Sequence, residues 1–324
     1  MAATLKTKIL VWGRAGAHCA FPECHRNLVM DASQTDDESL VGDVAHIIAE
    51  SVDGPRGISS LTLTERDLYA NLVLLCKIHH KLVDDQEATY PVEVLHQYKN
   101  DHESRVRAAL TPADAALLRD RETVASIVHE WMKLVNIDNW LAWTSFMLGA
   151  DGPVLRVEQE AKLQLAVEWI LNRVWPQAFP ELRAALENFG RVLNDMLLQF
   201  GGHTERRGDD LHTAKFYQIR EWDSERYDAL AERYEEHCDL VRDLTLELTR
   251  AANYVCDEVR RSVDPSFRMT EGVLLVQSGP FEDLTFRTRR IEYQSGERIV
   301  RPYPGIADFR QVRFSRDFAF GRRP

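Results

Sequence analysis

The chain has 324 residues, 44% of them hydrophobic and 28% charged, which excludes a wholly disordered or fibrous chain and leaves apolar matter for about two domains. The formal charge is −11, from 40 Lys+Arg against 51 Asp+Glu, so the molecule as a whole repels a polyanion and any nucleic-acid contact has to be local. No run approaches the roughly 20 apolar residues that span a bilayer, Met1–Lys8 lacks the apolar stretch of a signal peptide, and five cysteines are too few for a disulfide scaffold, so a cytoplasmic protein without membrane contact is expected.

In chain order, the first 110 residues combine short apolar runs (Ile9–Trp12, Val44–Ile48, Leu72–Cys76), a Gly/Pro-punctuated loop at Asp53–Ser60, and seven of the eleven histidines, at 18, 25, 46, 79, 80, 96 and 102. That texture predicts a small α+β unit. Acidic Asp31–Ser39 reads as an exposed loop. Val94, Leu95, Tyr98, His102, Val106 and Leu110 recur at helical spacing and predict a closing helix. Thr111-Pro112 then caps a new helix, which sets the expected domains at 1–110 and 111–324.

The second domain reads as mostly helical. Helices are predicted over Ala115–Leu148, Val157–Trp175 and from Pro180 to Gly201-Gly202, with His203–Asp210 as a mobile connection. About 223–263 forms the strongest pattern, with Tyr227, Leu230, Tyr234, His237, Val241, Leu244, Leu248, Ala251 and Val255 in 3,4 spacing. Such a seam suits a bundle or a homo-oligomer or partner interface. About 272–324 alternates and predicts a terminal hairpin or small sheet. From Thr285 onward it holds ten arginines against four acids. Arg287, Arg289 and Arg290 are candidate nucleic-acid contacts, the bland reading being that such arginines neutralise the protein's own acidic helices.

Two soft pairs carry the first domain's chemistry. Cys19-x4-Cys24 and Cys76-x2-His79 are spaced as two knuckles that complete a tetrahedral zinc site, which would brace a unit with a modest core. His80 follows at once, His46 lies between the pairs in Asp43-Val-Ala-His46-Ile, and Asn71 opens the run into Cys76.

These residues resemble the HNH endonucleases, the ββα-metal nucleases, in their zinc-bearing McrA-like form. The matching text is Cys19-x4-Cys24, Val44-Ala-His46-Ile, and Asn71-Leu-Val-Leu-Leu-Cys76-Lys-Ile-His79-His80-Lys-Leu-Val-Asp84, within about residues 9 to 105. The resemblance implies a DNA-cutting enzyme with His46 as general base, Asn71 as the middle residue, and His80 as ligand of a catalytic Mg²⁺ or another divalent ion. By spacing, His80 and Asp84 share a helix face, which makes Asp84 a second candidate ligand. Many family members carry an acidic ligand directly before the base. Here that position is Ala45, and Asp43 is the candidate substitute. By analogy with similar nucleases, a gated anti-phage defence effector is one expected role; the alternative is a catalytically inactive zinc-containing nucleic-acid-binding or scaffolding protein.

Overall fold

A computed structural model describes residues 3–24, 26–31, 39–149, 151–221, 223–280, 284–298 and 302–316. The fold mixes helices with small antiparallel sheets and divides into two units, 1–129 and 130–324. The division falls inside the helix that begins at Pro112 rather than at Thr111 itself. Among the described residues no helix is long and apolar enough to cross a membrane.

In the first unit Thr4 caps helix α1 (Leu5–Arg14) by accepting from Thr7 N at 3.2 Å, so the Ile9–Trp12 run is helical. The two-residue strands β1 (Val29–Met30) and β2 (Ser39–Leu40) pair with each other; most of the predicted acidic loop between them, 32–38, lies outside the described residues, as does His25. Strand β3 (Gly42–His46) is followed by the short helix α2 (Leu63–Arg66) and then by β4 (Leu72–Cys76), which pairs antiparallel with β3 in the register Asp43↔Leu75 and His46↔Leu72. All five β4 residues are buried. That explains an unbroken apolar run where a half-exposed strand would alternate. At roughly 1.5–3 kcal/mol for each fully buried Leu or Val, this strand is the principal apolar anchor of the unit. Helix α3 (Lys77–Asp85) starts immediately after Cys76, and α4 (Val92–Ala109) follows as predicted. The core gathers Val11, Leu28, Ala45, Leu72–Cys76, Val83 and Leu95. Helix α5 (Pro112–Val135) leads into the second unit.

That unit contains α6 (Trp140–Met147), β5 (Val154–Arg156), α7 (Val157–Leu171), α8 (Pro180–Gly201), β6 (Thr204–Arg207), β7 (Asp210–Thr213) and α9 (Ser224–Ser262), then β8 (Leu275–Ser278), β9 (Arg287–Arg290) and α10 (Ile306–Arg316). Asp223 caps α9 by accepting from Arg226 N at 3.1 Å. Its 39 residues rise about 58 Å. The helix is buried around its whole circumference from Leu244 to Cys256 and packs along α8, so the predicted seam is in large part internal core. Two expectations are corrected. The stretch 203–210 is no mobile connection: β6 and β7 form a hairpin across Gly208, whose φ of +64° suits glycine, and β5 completes a three-stranded sheet. The terminal segment does form the predicted hairpin, β8 with β9, and among the described residues this is followed by helix α10 rather than by further strands.

Candidate metal centre and active site

Cys19 and Cys24 come from the loop after α1, Cys76 ends β4, and His79 lies in the first turn of α3. Their ligand atoms all lie within 4.8 Å of one another. His79 Nδ1 is 3.3 Å from Cys76 Sγ and 3.6 Å from Cys19 Sγ. A tetrahedral zinc with bonds of about 2.3 Å to sulfur and 2.0 Å to nitrogen has an S···N edge of about 3.5 Å, so the four side chains are set for such an ion. Phe21 stacks on the His79 ring at 4.0 Å and 5°, which fixes the ring plane. Burial pushes the Cys19 thiol up to about 12, while burial together with Arg26 lowers His79. A neutral imidazole is what a metal needs, and a cation reverses the penalty on the thiolates. The predicted zinc ligands therefore form a Cys3His cluster able to hold a metal such as zinc.

His80 is the next residue on α3 and faces a different set of groups. Its Nδ1 lies 3.1 Å from Asp43 Oδ2, and its Nε2 lies 3.4 Å from Asp84 Oδ2. One ion can take only one ring nitrogen, so Asp43 and Asp84 cannot both share that ion with His80 in the same way. Asp84 Oδ1 accepts from Arg56 Nη2 at 2.6 Å. The nearly buried Arg56 also donates from Nη1 to Val83 O at 2.6 Å and from Nε to Ile47 O at 2.7 Å. A single guanidinium thus ties the His80 Nε2 side to the residue that follows His46.

His46 ends β3, with its Nε2 3.0 Å from Asp67 Oδ1. Asp67 is the C-cap of α2 and is 8% exposed. With Nε2–H donating to this carboxylate, Nδ1 is the nitrogen that can accept a proton. Asn71 is buried, and its amide is spent on backbone: Oδ1 accepts from Ile48 N at 2.9 Å, while Nδ2 donates to Ile48 O at 2.8 Å and to Arg66 O at 2.9 Å. It orients the chain after His46, and its amide groups are committed there rather than to a metal. Arg66, also buried, holds the same loop through Ala49 O at 2.6 Å and Gly57 O at 2.9 Å. A Cβ on Gly57 would collide with the carbonyl oxygens of Ser51 and Val52. Ala45, in the place of the missing acid, is 1% exposed and part of the core.

Sequence reasoning missed Asp67, Arg56 and Arg66. Arg56 carried the one available signal, a charged residue directly after Gly54-Pro55. In the arginine-rich end of the chain, Arg298 pairs with Asp257 at 2.6 Å, Arg313 with Asp243 at 2.6 Å and Arg316 with Glu247 at 2.8 Å. These three neutralise acids of α9. Arg287 and Arg290 lie exposed on β9 and Arg289 is half-buried there; Arg301, Arg322 and Arg323 lie outside the described residues. Cys238 and Cys256 are buried in α9, as expected of packing residues. Compared with known proteins, the chain matches no family model and no curated sequence.

Proposed function

We propose that the first unit is a metal-dependent HNH-type endonuclease domain that hydrolyses DNA phosphodiester bonds. The observation that supports this reading is the Arg56 clamp, which links the His80–Asp84 pair to the Ile47 carbonyl beside His46, the residues read here as cation ligands and general base. His80 Nε2 and Asp84 Oδ2 would hold the divalent ion, with the remaining positions left to water and phosphate. Asp43 then acts as a positioning residue: it accepts the Nδ1 proton of His80 and fixes the tautomer that presents Nε2. This moves Asp43 from the ligand role that the sequence suggested.

A divalent ion bound there supplies positive charge for the phosphate and for the leaving oxygen. His46 Nδ1 takes a proton from a water, whose oxygen forms a new bond to phosphorus while the bond to the leaving sugar oxygen breaks. Asp67 holds the imidazole in the required tautomer and stabilises the imidazolium that results. The Cys3His cluster braces the strand and helix that carry Leu72–Cys76 and His80.

The test is plasmid nicking by the full chain with Mg²⁺, Mn²⁺ and Ni²⁺. His46→Ala should lower cleavage by about 10²–10⁴-fold while zinc content and melting temperature stay unchanged. Cleavage retained in that variant would overturn the assignment of the base. A wild-type chain that binds DNA without cutting it under any of the three metals would favour the non-cutting scaffold.

A further inference from the structure

The second unit contains a cavity of about 600 Å³ between the end of α8, the β7–α9 connection, α9 and α10. That volume falls in the range of small-molecule sites. Its lining is unlike the rest of the unit. Arg233 and Arg310 open onto it, and among the described residues neither has a carboxylate partner, although Arg298, Arg313 and Arg316 are all paired with acids of α9. His237 reaches it from α9; its Nε2 is buried and has no hydrogen-bond partner among the described residues. Leaving such a group unsatisfied is costly unless something else fills the place.

Flat rings complete the wall. His203 lies 4.5 Å from Phe216 and 5.0 Å from His237, centroid to centroid, and Phe314 stands 53% exposed on α10. Burial above all, with His203 and Arg310 nearby, lowers His237 to about 4. Glu236, also on the lining, is the one carboxylate there among the described residues and can accept from hydroxyl or amino groups but not from a phosphate.

We infer that this cavity is a binding site for a free nucleotide: Arg233 and Arg310 take the phosphate, an aromatic wall takes the base, and His237 Nε2 donates to or accepts from the ligand. Two guanidiniums suit a phosphate because their N–H groups match its oxygens, and planar rings suit a base of any identity. The site belongs to the second unit and stands independently of the nuclease reading.

Calorimetric titration of the full chain with AMP, adenosine and inorganic phosphate tests it. AMP should bind more tightly than either fragment. The exposed pair Arg233→Ala/Arg310→Ala should weaken AMP by about tenfold or more, the loss expected for charge-assisted contacts, and leave adenosine unchanged. Arg183→Ala, in the first turn of α8, outside the cavity lining and paired with Glu187, should bind AMP as the wild type does. The inference is overturned if AMP fails to bind at millimolar concentration, if the double variant binds it as well as the wild type, or if a 5′-phosphorylated oligonucleotide binds where AMP does not.

Discussion

Asp67 and His46 are 21 residues apart and meet through a single 3.0 Å contact. Because Asp67 is almost fully buried, its charge acts on the imidazole with little screening by water. Asp67→Asn keeps the shape and removes the charge; the amide can also present N–H to Nε2 and so select the wrong tautomer. Cleavage by this variant should fall on the order of 10²-fold or more, with DNA binding and zinc content unchanged, as measured by single-turnover nicking beside filter binding. A fall in zinc content or melting temperature would show instead that Asp67 acts on folding. The Cys3His cluster and the meeting of His80 with Asp84 were legible from the sequence because each residue lies within a few positions of another member. Asp67 and Arg56 were not, because a lone acid or base in a loop carries no spacing signal until the chain has folded.

At the level of elements, the β4–α3 junction carries the most chemistry. Strand and helix abut with no linker, so Cys76, His79 and His80 fall within little more than one helical turn of chain, and the register of β4 against β3 sets where His80 meets Asp43. Removing metal from the Cys3His cluster should therefore disturb both sites at once. A structural zinc contributes folding free energy directly. Chelation, or Cys76→Ala, should lower the melting temperature of the first unit and abolish cleavage, whereas His80→Ala should abolish cleavage alone; circular dichroism melts with metal analysis check this, and a chelated chain that melts normally would refute the bracing role. The same contrast of range governs what could be read of the fold. Helices α4, α8 and α9 declared themselves through local periodicity. The β5–β7–β6 sheet did not, because strands of three and four residues pair Val154–Arg156 with Asp210–Thr213 across more than fifty intervening positions. Helix α10 was hidden because its first-turn acid and scattered arginines gave no clear apolar face.

Across the whole molecule, the excess of acid over base decides what the arginine-rich end does. Arg313 and Asp243 are both buried, and their 2.6 Å pair joins α10 to α9. Arg313→Ala removes the guanidinium from this buried pair and should lower stability by urea denaturation; an unchanged midpoint would show that the pair does not hold α10 to α9. Deleting everything from Thr285 onward would break this pair together with Arg316–Glu247 and Arg298–Asp257. Such a deletion therefore perturbs the fold and reports poorly on DNA. The arginines of β9 separate the two effects. Among the described residues strand β9 pairs with β8, and Arg287 and Arg290 are exposed on it, Arg290 being paired with Glu292. If it contributes the local positive surface that an acidic chain needs to hold a polyanion, then changing Arg287, Arg289 and Arg290 together to Gln should flatten the dependence of log K on log salt. The expected change is about 0.9 for each phosphate no longer neutralised, or roughly 2 to 3 overall. Fluorescence anisotropy with a labelled duplex across a salt series measures the slope. An unaltered slope would confine DNA binding to the first unit, leaving the arginines of the second unit to its own carboxylates.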